Sequence, residues 1–371
     1  MQHNYKRLKL AGLLALMHTG TAQANIELLQ TPSVSSKLIT SSVVTAIAPA
    51  PEGVIAIGER GHIFTWQDEQ SWQQQRAPVS VLLTDIETLP NKTSIAIGHD
   101  AAILRSTDGS TWQKVFDGYD LATLKVALLE KQQTQLNKQL ETLEDEDEIE
   151  ELEFQLDEVI FSLEDAQTEQ QVGPNKPLLS LTQVDDQTLF AVGAYGTLLR
   201  SNDAGVSWQL IDDLLENPDK FHLNAITYNQ GVITIVGENG VSFSSADQGE
   251  TWQFIELPYL GSMFGVIGNQ TSSNLVAFGL QGNVLLSKDL GQSWQNVEMG
   301  NNISLLGGTM SPTGDVYLVG HGGVVSRFNV KSPDQVTVKK HPSGSAFSDV
   351  RVMDEQLILA GQFGLTAWQF K

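Results

Sequence analysis

The chain contains no cysteine, so it forms no disulfide, no thiolate metal site and no cysteine nucleophile. Basic residues are scarce: 22 Lys and Arg stand against 44 Asp and Glu, a formal net charge of −22. That surplus repels phosphate and argues against a nucleic-acid partner. After residue 24, no apolar run approaches the roughly 18 residues that a spanning helix needs. With 371 residues, 41% of them hydrophobic, there is still material for a large core, in two domains or one repeat fold.

Residues 1–24 read as a secretory leader. Lys6, Arg7 and Lys9 give a basic start, Leu10–Met17 is a short apolar run, and Ala22-Gln23-Ala24 is a small-x-small cleavage site. The alternative is an uncleaved anchor, for which the apolar run is short. Cleavage takes away three positive charges and leaves −25. A Gram-negative periplasm is the expected location.

The rest of the chain is repetitive, and repeats decide the fold. Seven times an apolar strand runs into Gly-x-x-Gly or a close variant and then into a second strand, with leading glycines at 58, 98, 193, 237, 279, 320 and 361. Their spacings are 40, 95, 44, 42, 41 and 41 residues, the 95 being one repeat plus about 53 inserted residues. Seven strand-rich units of this length predict an all-β, seven-bladed propeller. The glycines are expected to supply the positive φ of tight hairpins. Residues 25–118 make blades one and two, and residues 174–371 make blades three to seven.

Three units carry Ser-x-Asp-x-Gly-x-x-Trp: Ser201 to Trp208, Ser245 to Trp252 and Ser287 to Trp294. Ser106 to Trp112 is a copy one residue shorter. This is the Asp-box of the BNR repeats, a turn held by its own Asp and Ser side chains. Its Trp is expected to pack between blades. The last unit stops after its third strand, so residues 25–30, with Ile26-Glu27-Leu28-Leu29, are expected to supply the closing strand of blade seven.

The insertion at 119–173 has helical, not strand, periodicity. Ala122, Val126, Leu129, Gln133, Leu136, Leu140 and Leu143 form one heptad seam, and Ile149, Leu152, Leu156, Val159, Leu163, Ala166 and Gln170 form another. The acidic run 144–148 is the expected turn of an antiparallel coiled-coil hairpin. Residues 119–171 hold 16 acidic residues and 3 lysines, a net of −13. Either this charge keeps an exposed coiled coil soluble, or the arm grips a partner. The two seams can satisfy each other within one chain, so a monomer is expected, although the same seams suit pairing between chains.

Apart from the hairpin, the chain resembles the photosystem II assembly/stability factor family of BNR propellers. The likeness rests on the Ala-Ile/Val-Gly-x-x-Gly strands, on Leu104-Arg105-Ser106 and Leu199-Arg200-Ser201, and on the Asp-boxes. It implies a non-enzymatic factor that assists assembly of a membrane protein complex, without a cofactor. In non-photosynthetic Gram-negative relatives, RND-type exporters are the implied context. Two departures count against a literal photosystem role: the acidic hairpin, and an arginine at the repeat position in only three units (Arg105, Arg200 and Arg327).

The rival reading is a sialidase-like glycosidase or glycan-binding propeller. Such catalysis needs three arginines on a carboxylate, an acid and a Tyr–carboxylate pair. The chain after residue 24 has six arginines and offers Glu59 and Glu238 near the hairpin tips. His99 and His321 lie in non-adjacent units, which argues against a shared metal. Protein contact is the expected use of the tips: Glu59, Arg60, His99, Asp100, Tyr195, Glu238, His321 and Phe363. The apolar linker Leu257–Phe264 adds Tyr259, Leu260, Met263 and Phe264, unless the last two already belong to a buried strand.

Overall fold

The computed structural model describes residues 27–353 and 355–370. The leader expected at 1–24 lies outside them. Seven antiparallel sheets form, in chain order, from residues 44–75, 83–116, 178–210, 223–254, 263–296, 305–340 and 347–368. The first strand of each sheet touches the first strand of the next, and that of blade seven returns to that of blade one, closing a ring. Among the described residues, blades one to six have four strands and blade seven has three.

The apolar residues of each second strand explain why the sheets stack. Val54–Gly58, Ser94–Gly98, Leu189–Gly193 and Leu275–Gly279 are buried along their whole length. Both faces meet a neighbouring blade, so these strands read as continuous apolar runs instead of alternating.

The leading glycines turn out to serve close approach, not positive φ. From Gly58 to Gly320 their backbones are extended. A Cβ on any of the seven would strike the carbonyl of the residue just before its blade's first strand: Val43, Leu82, Pro177, His222, Ser262, Ser304 or Ala346. The same seven carbonyls accept a hydrogen bond from the N–H that follows the glycine, at 2.8–3.2 Å. Positive φ falls two and three residues after the leading glycine, as at Tyr195 (56°) and Gly196 (73°).

The Asp-boxes form as expected. In blade three the Ser201 hydroxyl donates to Asp203 (2.8 Å) and accepts from the Gly205 N–H (2.9 Å), while Asp203 accepts from the Ser207 N–H (2.9 Å). The Trp side chains do bridge blades. Trp112 donates to Gln75 of blade one (2.6 Å), and Trp252 stands edge-on to Phe190 of blade three.

The expected closing strand does not form among the described residues. Residues 28–30 are a turn, closed by the Gln30 N–H on the Glu27 carbonyl. Leu29 is buried between blades one and two, where Ser33 and Leu28 bond Ala77 and Ser80 of their linker. The seam between blades seven and one is closed by side chains instead. Ser348 donates to the Val44 carbonyl (2.9 Å), Asp349 accepts from the Ile47 N–H (3.0 Å), and Arg351 donates to the Ile47 carbonyl (3.2 Å). Buried Ile39 fills the same seam against Ile358 and Ala360.

The insertion is a helix pair, α1 (Gly118–Leu140) and α2 (Glu146–Val172), packed along the two seams. Asp117 caps α1, its carboxylate accepting from the Tyr119 N–H while Asp120 reaches back to the Asp117 N–H. The turn falls slightly earlier than the acidic run. Asp145 caps α2, and Glu146, Asp147 and Glu148 form its first turn, where carboxylates favour the helix N-terminus.

Candidate protein-contact face and channel

The arm leaves and rejoins the ring on the tip face. Gly118 packs against Pro174 and the Asp100 carbonyl, and the Ala101 N–H bonds the Lys176 carbonyl (2.8 Å), so both ends are fastened to the tip of blade two. The arm then leans over blade three and its connector to blade four. Lys220 on that connector donates to Ser162 of α2 (3.1 Å). A cavity of about 120 Å³ between α1 and the tip of blade three is lined by Lys125, Leu129, Tyr195, Asp212 and Lys220. Burial pushes the Lys125 amine below its ordinary value and the Asp212 carboxyl above it, and each charge partly offsets the other's shift.

From this base an exposed row crosses the tip face. Tyr195, half exposed, lies edge-on to His222 with ring centroids 4.9 Å apart, and its N–H donates to His222 Nδ1 (2.9 Å). The Lys176 ammonium stands over the Tyr195 ring, 5.2 Å from its centroid, and pairs with Glu169 of α2. His222 adjoins Glu238, and the tip of blade four meets Leu260, which is 78% exposed. Tyr195, Glu238 and Leu260 are thus brought together as one band.

The other sequence candidates are dispersed. Arg60, His99 and His321 are exposed at the tips of blades one, two and six, and Asp100 is half-buried under the arm's attachment. Phe363 is exposed at blade seven. Met263 is fully buried in the core between blades four and five, and Tyr259 packs on the same cluster. Phe264 lines the central channel. Glu59 and Glu238 are not a funnel pair: each accepts a backbone N–H at the start of its own blade, from Val43 (3.2 Å) and His222 (3.1 Å).

Sequence reasoning missed the channel charges. A central cavity of about 330 Å³ is walled by the first strands of the blades. Asp85 and Asp349 follow a bulge in their strands, where the equivalent residues of the other five blades are Ala46, Ser180, Ala225, Gly265 and Gly307. Asp85 accepts from the Leu181 N–H of blade three (2.8 Å), as Asp349 does from blade one. The bulge residues themselves latch blades: Thr45 donates to the Leu83 carbonyl and Thr84 to that of Leu178, both at 2.7 Å. Burial, then the Glu87 charge, pushes Asp85 up to about 7. Burial likewise raises Glu87 and Asp349, against the pull of Arg351. An acidic residue in an otherwise small-residue position of the first strand was the available signal.

This channel does not suit a sialidase-like clamp. Arg351 is the one arginine among the described residues that line it, and it donates to the Ile47 carbonyl beside the Glu87 and Asp349 charges. The three repeat-position arginines lie on the third strands of their blades. Arg105 bonds the Ala204 carbonyl, Arg200 the Glu250 carboxylate and Arg327 the Asp315 carboxylate.

The fold and these turns define a seven-bladed BNR-type propeller carrying a helical arm. Residues 163–261 match the family model described as photosynthesis system II assembly factor YCF48, which bears out the resemblance read from the residues. Comparison with curated proteins found no match. Among solved structures, YCF48 bound to D1 peptide is 13% identical, with TM-score 0.57 over 92% of this chain and 100% of that one. YCF48 from Cyanidioschyzon merolae is 12% identical, with TM-score 0.57 over 89% and 96%. The WD40 propeller domain of Doa1 is 10% identical, with TM-score 0.60 over 91% and 94%. At these identities the structures speak for the fold.

Proposed function

We propose that this protein is an exported, non-catalytic accessory factor that holds a membrane protein complex during assembly or operation. On this reading the periplasm is its compartment, and an RND-type exporter is the complex it serves. The observation that carries it is the arm braced across the tip face, which joins α1, Tyr195, His222 and Leu260 into one continuous surface. The family match supports an assembly role, and a structural relative that holds a peptide supports peptide capture by such a propeller. Two linked contact surfaces raise effective concentration, so the arm strengthens a weak platform without new chemistry.

Crosslinking in the native envelope, followed by affinity capture and mass spectrometry, tests this. The intact protein is compared with one whose residues 121–171 are replaced by a short linker. Recovery of an inner-membrane complex that needs the arm supports the reading. Equal recovery with and without the arm removes the arm from the mechanism, and recovery of no membrane protein by either form overturns the proposal.

A further inference from the structure

The seams account for the apolar residues of α2 that face α1, but two aromatic residues lie elsewhere on the helix. Phe154 is 64% exposed and Phe161 is 75% exposed. They are seven residues apart, so they stand on one face about two turns from each other, roughly 10 Å along the axis. At helical spacings of three and four, Phe154 is flanked by Glu150, Glu151, Asp157 and Glu158, and Phe161 by Asp157, Glu158, Glu164 and Asp165. All six carboxylates are exposed, and none forms an ion pair among the described residues. Solubility explains the acids. It does not explain two large rings placed among them in water.

We infer that this face of α2 docks a basic amphipathic helix of the partner protein, which places apolar side chains on Phe154 and Phe161 and Lys or Arg side chains on the surrounding carboxylates. The inference deepens the proposed function and rests on it for the partner's existence. Charge complementarity selects the occupant. A second arm carries the same net of −13 over residues 119–171 and is repelled. Anionic lipid headgroups are repelled for the same reason. A cationic helix gains at both levels: aromatic anchors supply the desolvated contact, and the acidic ring steers approach and sets register.

The probe is a labelled 21-residue helical peptide with Leu at its heptad seam and Lys at its other positions, added to the full chain and followed by fluorescence anisotropy. A counterpart with Glu for Lys is the charge control. The Lys peptide is expected to bind, at least tenfold more weakly to a Phe154→Ser/Phe161→Ser variant, and the Glu peptide is expected not to bind. Equal affinity for the variant and the unaltered chain overturns the inference, because it leaves only diffuse charge attraction. An arm-dependent dimer in sedimentation that the double substitution abolishes also overturns it, in favour of self-pairing. Circular dichroism and the melting temperature verify that the variant is folded. Envelope capture separates the two proposals. If the double variant captures the membrane complex as well as the intact chain while the arm deletion does not, the docking face falls and the function stands. If the arm deletion captures it equally, the arm's role in the function falls whatever the peptide does.

Discussion

The ring and the arm solve the same problem of an exposed edge in opposite ways. In the ring, apolar second strands pack blade on blade, Thr45, Thr84 and Ser348 donate across the inner seams of blades seven, one, two and three, and the half-buried Asp85 and Asp349 accept backbone N–H groups of the neighbouring blade. Its polar atoms are spent on the structure. In the arm, only Leu121, Ala122, Leu129 and Ala166 among the large and small apolar side chains are buried, and apart from Glu169, paired with Lys176, the acids are exposed. The ring is built to stay closed, while the arm keeps its charge and two aromatic rings available. On the proposed function, the difference places stability in the ring and recognition on the arm.

Several substitutions break or sharpen that contrast. The largest effect is expected at the tips: Gly320→Val drives a side chain into the Ser304 carbonyl, costing about 3 kcal/mol or preventing folding. Thermal or urea unfolding reads it, and a loss below about 1 kcal/mol would refute the close-approach role. Leu29→Ala empties a site between blades one and two and is expected to cost about 2–3 kcal/mol. If Leu29 belonged to a loose tail, the melt would not move. Asp349→Ala leaves the Ile47 N–H without its acceptor at a cost of about 2 kcal/mol, whereas Phe154→Ser/Phe161→Ser changes stability by less than about 0.5 kcal/mol. Equal losses for these two would erase the division between ring and arm.

Acid separates two classes of carboxylate within the ring. The Thr251 hydroxyl and N–H hold Asp247 down to about 2, so its contribution is complete above the ordinary carboxylate range and is lost as pH falls through 4 towards 2. Asp85 behaves oppositely. Its raised value, about 7, means that the fold opposes its ionisation, so stability declines as pH rises from about 4 to about 7. Asp85→Asn keeps an acceptor and removes the charge, so melting temperature against pH is expected to flatten across that window. Parallel profiles for variant and parent would show that Asp85 does not titrate there.

Much of this was legible in the residues. The 40–44-residue spacing, the Asp-boxes and the two heptad seams each state a local geometry that backbone chemistry enforces within a few residues. The arm's turn was displaced slightly because Asp145 serves better as a cap than as a turn residue, which lets α2 absorb the rest of the acidic run. The closing strand was misread for a different reason. Ile26 to Leu29 has strand character, yet Leu29 finds a buried site between blades one and two, and no local pattern reports which gap in the ring is empty.

By itself, the sequence determined the number of blades, the turns within them and the helical nature of the insertion, because each follows from contacts between near neighbours along the chain. Only the tertiary structure decided how the ring closes, that Asp85, Glu87, Asp349 and Arg351 meet in one channel, and that the arm lies against Tyr195 and Lys220. Asp349 and Ile47 are 302 residues apart. Such partners are chosen by the ring's geometry and by the burial of their unpaired polar groups, neither of which is written in any one stretch of chain.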